Sequence, residues 1–402
     1  MIDVPRLLTL LAIVSYVVIF IAYICEHYLC PALLIIIRKL GVADDVAGAL
    51  FLALATSIPE LFSSVIGLFI EHSETGLTNC IGASAFNILF ALGVSAVALS
   101  VPLLIDWRVL LRETFFLIIS ILVLLWCLAG ETITKVEPLV LLIIYIIFVL
   151  ALLFSKKYFD FFNRLIFKRR ESSLESLKES FPEVRYTVNA ENTDRKALLD
   201  HEHQHHVTDL LSVPRGVLHK LWYFFTLPIV LVQLVTIPPC TSRKTRKFWP
   251  LTLLFSIAFI GVVEYVVVEA VAEIGEMLSI SDEVEGLTLL AAFSCLPEVF
   301  TSVAAVRNGM GNSVISNVFG SNVFVSTLAL AVPWFIYVYI YPGQVLVIET
   351  EGLVLDAMIT LGITALSFIG FCFTRFKLRR SLGVVFVIGY VAYVSFDLIV
   401  LN

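Results

Sequence analysis

The chain has 402 residues, of which 59% are hydrophobic and only 15% charged, too apolar a mixture to hide in one soluble core. The net charge of −6 says little about partners, because the charges are segregated along the chain, and nothing points to nucleic acid. The seven cysteines (25, 30, 80, 127, 240, 295 and 372) show neither a metal-ligand spacing nor a disulfide framework; Cys25 and Cys30 could pair but read as small buried hydrophobes.

In chain order, hydropathy predicts ten spans, each near the roughly 20 residues that a bilayer requires. The first covers about 7–37 and is interrupted by CEHYLCP, so it is long, tilted or broken. It is too long for a signal-peptide core and lacks a convincing cleavage site, which makes it a retained span. The second to fifth lie at about 46–70, 78–101, 109–128 and 136–154. A polar stretch follows over 155–220, with a KRR run at 168–170 and HEHQHH at 201–206. The histidines could bind zinc, but their charged, low-complexity setting reads as a solvated linker, and the basic run sets topology or meets anionic lipid. The segment LWYFFTLPIVLVQLVTIPP is expected to be broken by its prolines and to lie along the interface. The sixth to tenth spans lie at about 249–278, 286–306, 313–340, 351–373 and 382–400.

Lys and Arg orient the spans. Arg38 and Lys39, Arg108 and Arg112, the 155–249 loop, Arg307, and Arg375 through Arg380 occupy alternate connections. The intervening ones carry Glu71, Glu74, Glu131, Glu137, Asp282, Glu283, Glu285, Glu349 and Glu351, with Lys135 alone among bases. The basic connections should be cytoplasmic, with both termini outside. Three regions follow: an N-terminal membrane half (1–154), a cytoplasmic loop with an interfacial segment (155–248) and a C-terminal membrane half (249–402).

One stretch occurs twice. FLALATSIPELFSSVIGLFIEHSETGLTNCIGASAFNI (51–88) aligns without a gap on LLAAFSCLPEVFTSVAAVRNGMGNSVISNVFGSNVFVS (289–326). A constant offset of 238 takes Pro59 to Pro297, Glu60 to Glu298, Ser64 to Ser302, Asn79 to Asn317, Gly82 to Gly320 and Phe86 to Phe324. Five spans separate the copies, so the halves are inverted, a plan that recurs in transporters with a site near the midplane. The fold class is an all-α integral membrane protein of about ten transmembrane helices in two inverted-topology five-helix repeats.

A carboxylate inside a bilayer costs at least about 2.5 kcal/mol and usually marks an ion pathway. Here one recurs in each half, directly after a proline, with a hydroxyl four positions earlier: Thr56 with Glu60, Ser294 with Glu298. Proline frees a backbone carbonyl, and positions i and i+4 share a helix face. Asn87, Ser321 and Asn322 add oxygens further along, while Gly82 and Gly320 permit close helix approach. An all-oxygen set with two carboxylates suits hard cations such as Ca2+ and Na+. The plainer reading is a buried polar contact that ties two helices together, and each hydroxyl alone could simply bond its own helix.

These residues resemble a known family. VADDVAGALFLALATSIPELFSSVIGLF, GASAFNILFALGV and EGLTLLAAFSCLPEVFTSVAAVRNGMGNSVISNVFGSNVF look like the two alpha-repeats of sodium/calcium exchangers in the calcium/cation antiporter superfamily, nearest the potassium-dependent branch. CEHYLCPALLIIIRKLGV, IDWRVLLRETFF and VTIPPCTSRKTRKFW agree with that branch outside the repeats. The resemblance implies that Glu60 and Glu298 bind calcium and compete for sodium, that Thr56 and Ser294 lend oxygens beside them, and that Ser57, Asn87 and Ser321 are further cation-site positions. Four positions depart from the pattern: Glu298 replaces an aspartate, Ala83 and Cys295 each replace a serine, and Val325 stands where the potassium-dependent branch has its potassium-associated aspartate.

The expectation is a secondary antiporter, not an enzyme, exchanging Ca2+ for Na+ with little or no potassium requirement, needing no cofactor and residing in the plasma membrane, with an organellar membrane as the alternative. Its partners are the two ions and membrane lipid. Proton/calcium exchange on the same glutamates is the alternative within transport, and a non-transporting relative the alternative outside it.

Overall fold

The computed structural model describes residues 3–40, 53–167, 216–240, 245–307, 309–341, 346–348 and 352–400. VADDVAGALF at 42–51, the KRR run, HEHQHH, Glu349 and Glu351 lie outside the described residues.

The long apolar helices are α1 (Val4–Leu33), α2 (Ala53–Glu71), α3 (Thr75–Val97), α4 (Trp107–Leu128), α5 (Val136–Phe154), α7 (Arg246–Leu278), α9 (Gly311–Ile340), α10 (Leu353–Phe373) and α11 (Arg380–Ile399). α8 has two arms, Asp282–Ser294 and Leu296–Arg307, bent by 44°. α6 is Val217–Thr236. Helices serve here because hydrocarbon offers the backbone no hydrogen bonds, so each segment must satisfy its own. Apolar side chains at helical spacing face outward, among them Ile143, Ile146, Ile147 and Leu150 on α5 and Val384, Val385, Ile388 and Val391 on α11. The polar residues of both repeats point inward: Thr56, Ser57, Glu60, Asn79, Asn87, Glu298, Ser302, Asn317, Ser321 and Asn322 are all fully enclosed.

Of the three readings of the first span, the structure takes the long one: Val4–Ile24 passes through a π-turn at Cys25–Leu29 directly into Cys30–Leu40. The wider turn absorbs Pro31, whose ring would otherwise collide with the preceding turn. Two other elements differ from expectation. The fifth helix does not stop at 154 but continues to Phe167; at 1.5 Å per residue it outruns a hydrocarbon core of about 30 Å. The interfacial segment is one helix with Pro228 inside it. Its apolar face packs on α1, where Gln233 Nε2 donates to the Phe20 carbonyl at 3.1 Å and Phe225 meets Tyr16 edge-on at 5.2 Å.

Two short strand pairs settle which connections share a side. β1 (Leu103–Leu104), between α3 and α4, pairs antiparallel with β4 (Lys377–Leu378), between α10 and α11. β2 (Thr132–Ile133), between α4 and α5, pairs with β3 (Leu346–Val347), between α9 and α10. Six helices other than α6 lie between β1 and β4, and four between β2 and β3. Both numbers are even, as two strands on one face require, and a crossing by α6 would make both odd. α8 counts once, since a bend of 44° does not turn the chain back. The described residues therefore make ten crossings, and α6 runs beside α1 without adding one. The β1/β4 side carries Arg108, Arg112, Arg375, Lys377, Arg379 and Arg380. The β2/β3 side carries Glu131 and Glu137.

Inside, α1 and α7 share one apolar cluster with the near faces of α2 and α8, centred on Val14, Ile21, Ile260, Val267 and Val271. α3, α4, α5, α9, α10 and α11 share a second, larger one with the far arm of α8. The α1–α7 pair thus lies against the repeat helices as a separate layer, with Phe20 stacked on Phe259 at 5.6 Å.

Candidate cation-binding site

The two repeats break their first helix at equivalent places. In α2 the break is Ser57, followed by Ile58–Ile66 with Pro59 in its first turn. In α8 it is Cys295, followed by Leu296–Arg307 with Pro297 next to its start. Each proline lacks the N–H that would bond the carbonyl four residues back, which leaves Ala55 and Phe293 as the freed carbonyls. Cys25 Sγ of α1 approaches that of Ala55 at 3.5 Å.

The breaks face each other, and each repeat's glutamate reaches the other's break. Ser57 donates to Glu298 Oε1 at 3.0 Å, and its equivalent Cys295 donates to Glu60 Oε1 at 3.1 Å. Asn322 Nδ2 donates to the Ser84 carbonyl at 3.2 Å, a contact between equivalent positions, which puts it on the local two-fold axis. Asn87 Nδ2 donates to Asn322 Oδ1 at 3.1 Å, and Asn87 begins within a π-turn, Phe86–Ala91, whose counterpart is Val325–Ala329.

The symmetry is incomplete around the carboxylates. Glu298 accepts from three hydroxyls: Thr56 at 3.2 Å, Ser57 at 3.0 Å and Ser321 at 3.3 Å, the last on Oε2. Glu60 receives one thiol, and its Oε2 meets no hydrogen-bond partner among the described residues. The sequence explains the difference. The equivalent of Ser321 is Ala83, and the equivalent of Ser57 is Cys295. Ser294, the equivalent of Thr56, donates to Asn79 Oδ1 at 3.2 Å rather than to Glu60. Asn87 Oδ1 also has no partner among the described residues, while Val325 at the equivalent position is enclosed and apolar.

Of the residues read from the sequence, Glu60, Glu298, Thr56, Ser57 and Ser321 meet at one place. Asn87 joins through Asn322 on the axis, and Ser294 sits one step aside against Asn79. Gly82 behaves as expected: a Cβ there would lie 2.1 Å from the Leu287 carbonyl, so α3 touches α8 backbone to backbone. Gly320 does not, since a Cβ there would meet nothing nearer than Glu113 Oε2 at 3.7 Å. It borders a small cavity lined by Glu113, Tyr145, Phe148 and Ser316 instead.

Among the enclosed carboxylates that escaped the sequence reading, two lie beside the repeat helices. Glu264 on α7 accepts from Ser63 at 2.9 Å, one turn beyond Glu60 on α2, and its Oε2 has no partner among the described residues. Glu113 on α4 pairs with Arg112 at 2.6 Å and accepts from Ser316 at 3.1 Å. Both lie in strongly apolar spans, but neither recurs within the aligned repeat, which is what singled out Glu60 and Glu298.

The profile of the family described as sodium/calcium exchanger protein matches residues 10–154 and 248–399, the two membrane halves. The chain belongs to that family. Among curated relatives, human sodium/potassium/calcium exchanger 4 is 26% identical over 94% of this chain and 79% of its own length. Human sodium/potassium/calcium exchanger 5 is 27% identical over 96% of this chain and 82% of its own. The solved sodium-calcium exchanger NCX_Mj, soaked with 10 mM Na+ and zero Ca2+, aligns with a TM-score of 0.53 at 20% identity, covering 97% of this chain and 99% of that one. That likeness shows a shared fold. The protein is an integral, multi-pass membrane transporter of an exchanger family with cation and calcium exchange as its chemistry.

Proposed function

We propose that this exchanger moves Ca2+ against Na+ by alternating access, with Glu60 and Glu298 holding one load at a time and potassium not required. One observation carries the reading: two enclosed carboxylates on helices of opposite direction, each reaching across to the break in the other repeat. Counter-charge is the first need of a divalent ion in a low-dielectric site. The unpartnered oxygens of Glu60 and Asn87, with the carbonyls freed at the two prolines, supply further ligands of the type hard cations take. Sodium ions at the same oxygens would compete with calcium, and that competition couples the two gradients without ATP.

The separate α1–α7 layer supports a moving unit that uncovers the site to each side in turn. The halves at 1–154 and 249–402 would form the transport body and the 155–248 segment a cytoplasmic connection, in a protein of the plasma membrane. Val325 supports independence from potassium: a valine side chain coordinates no cation, so the second repeat adds no carboxylate beyond Glu298 at this place.

The test is calcium uptake into vesicles holding the purified protein, driven by an outward sodium gradient, with potassium replaced by choline on both sides. Uptake at full rate is expected, and a proton gradient alone should not drive it. Uptake only with a proton gradient would replace sodium by protons as the coupled ion. Uptake only when potassium is restored would mean that a group other than residue 325 binds that ion.

A further inference from the structure

The central site is built from oxygens except at Cys295. The offset of 238 sets Cys295 against Ser57, and each reaches the glutamate of the other repeat. Cys295 Sγ donates to Glu60 Oε1 at 3.1 Å, where Ser57 Oγ donates to Glu298 Oε1 at 3.0 Å. Cys295 and Glu60 are both wholly enclosed, and the second Glu60 oxygen has no partner among the described residues. Ser294 Oγ lies 3.9 Å from the same sulfur while donating to Asn79 Oδ1 at 3.2 Å. Two other enclosed thiols approach α2, but on neutral oxygens. Cys25 donates to the Ala55 carbonyl, and Cys80 shares a hydrogen bond with Ser64 Oγ at 3.1 Å. Cys295 is the thiol that meets a carboxylate.

A hydroxyl and a thiol differ in the ions they accept. A serine oxygen suits Na+ and Ca2+, whereas sulfur, more polarisable, suits soft ions and binds them as the thiolate. A hard ion therefore gains little from Cys295. An ion both divalent and soft uses the whole pair: one carboxylate and one thiolate cancel its two charges, and Glu298 keeps its three hydroxyl donors. We propose that Glu60 and Cys295 form a binding site for thiophilic divalent ions of the Cd2+ class, lodged within the central site and competing there with Ca2+. The proposal rests on the reading of the central site given above. Cd2+ is close to Ca2+ in size, so a place that admits one admits the other. On binding, the Sγ–H bond breaks, an Sγ–metal bond forms, and the proton leaves to the water from which the ion came. The bare oxygen of Glu60 stands ready as a further donor. The Glu298 half has no such pair, because Ser57 occupies the equivalent place, so the soft preference belongs to one repeat.

The experiment titrates Cd2+ into the full chain in lipid nanodiscs, free of sodium and calcium, and follows the ultraviolet charge-transfer band of a thiolate–Cd2+ bond. Equilibrium binding of radioactive Sr2+, a hard ion of the calcium type, reports the central site in parallel. The unmodified protein should show the band and lose it to excess Sr2+, which a surface thiol such as Cys372 would not do. Cys295→Ser should remove the Sr2+-sensitive band and weaken Cd2+ binding about tenfold or more, while Sr2+ affinity does not fall. Where that variant does not fold, Cys295→Ala should give the same loss. No band, a band that excess Sr2+ leaves in place, or one that survives either substitution would overturn the inference. Equal losses of Cd2+ and Sr2+ affinity would make Cys295 a support of the fold alone and overturn it too. Sr2+ binding without a displaceable band leaves the central site standing and removes only this proposal, whereas absence of both removes the two together.

Discussion

At the residue scale the two glutamates are equivalent in sequence but not in surroundings. Three hydroxyls solvate Glu298, whereas Glu60 has a thiol and a bare oxygen. On the proposed function, Glu60 would therefore depend more on the transported ion for its stabilisation. Neutralising either side chain removes half of the counter-charge to a divalent ion, so calcium uptake should collapse in both Glu60→Gln and Glu298→Gln at matched membrane expression. Near-normal uptake by either would sink the assignment. Restoring oxygens on the poor side, with Ala83→Ser and Cys295→Ser together, should lower the sodium concentration for half-maximal exchange. A gain of about 1 kcal/mol per ligand corresponds to roughly fivefold in affinity. An unaltered sodium dependence would show that these positions do not face the ion. The repeats made Glu60, Glu298, Thr56, Ser57 and Ser321 legible in the sequence, because an internal offset of 238 supplies its own control. Which carboxylate each hydroxyl serves was not legible, since Ser57 and Glu298 meet only when the halves face each other. Glu264, Asp356 and Asp397 carried the same signal of an acid in an apolar span, but without a repeated partner to single them out.

At the element scale, glycines that look equivalent in the repeats do different work. Gly82 lets α3 meet the backbone of α8, and an added methyl would fall on the Leu287 carbonyl. Gly320 faces side chains at ordinary contact distance beside the cavity at Glu113. Gly82→Ala should therefore destabilise the protein by about 1–3 kcal/mol, the usual cost of overpacking, and lower its unfolding midpoint in detergent. Gly320→Ala should leave the midpoint near that of the unmodified protein. Equal midpoints for the two variants would contradict this packing. The same scale shows where proline is a poor guide. Pro31, Pro228 and Pro333 lie in or beside continuous helices, while Pro59 and Pro297 follow real breaks. The composition around a proline does not reveal whether a π-turn or a neighbouring helix will absorb the lost hydrogen bond, and for that reason the segment at 217–236 looked more fragmented than it is.

At the scale of the whole molecule, topology rests on pairing between distant connections rather than on hydropathy. α6 is long and apolar enough to cross a membrane, and a count by length alone would admit it. Had it crossed, the chain would pass from the end of α5 on the β1/β4 side through six crossings before Asn402, and both ends of that stretch would face the same side. Without it there are five, and they face opposite sides. The β1/β4 and β2/β3 pairs require the second arrangement. It is also the one that inverts α8 relative to α2 and brings Ser57 to Glu298 and Cys295 to Glu60. An epitope inserted within residues 168–215 should be reached by antibody only after the cell membrane is made permeable, and one added after Asn402 should be reached in intact cells. Detection of both epitopes on the same side would make α6 a crossing helix. The two repeats would then run parallel, the strand pairs could not form, and Glu60 and Glu298 could not share one site between inverted halves.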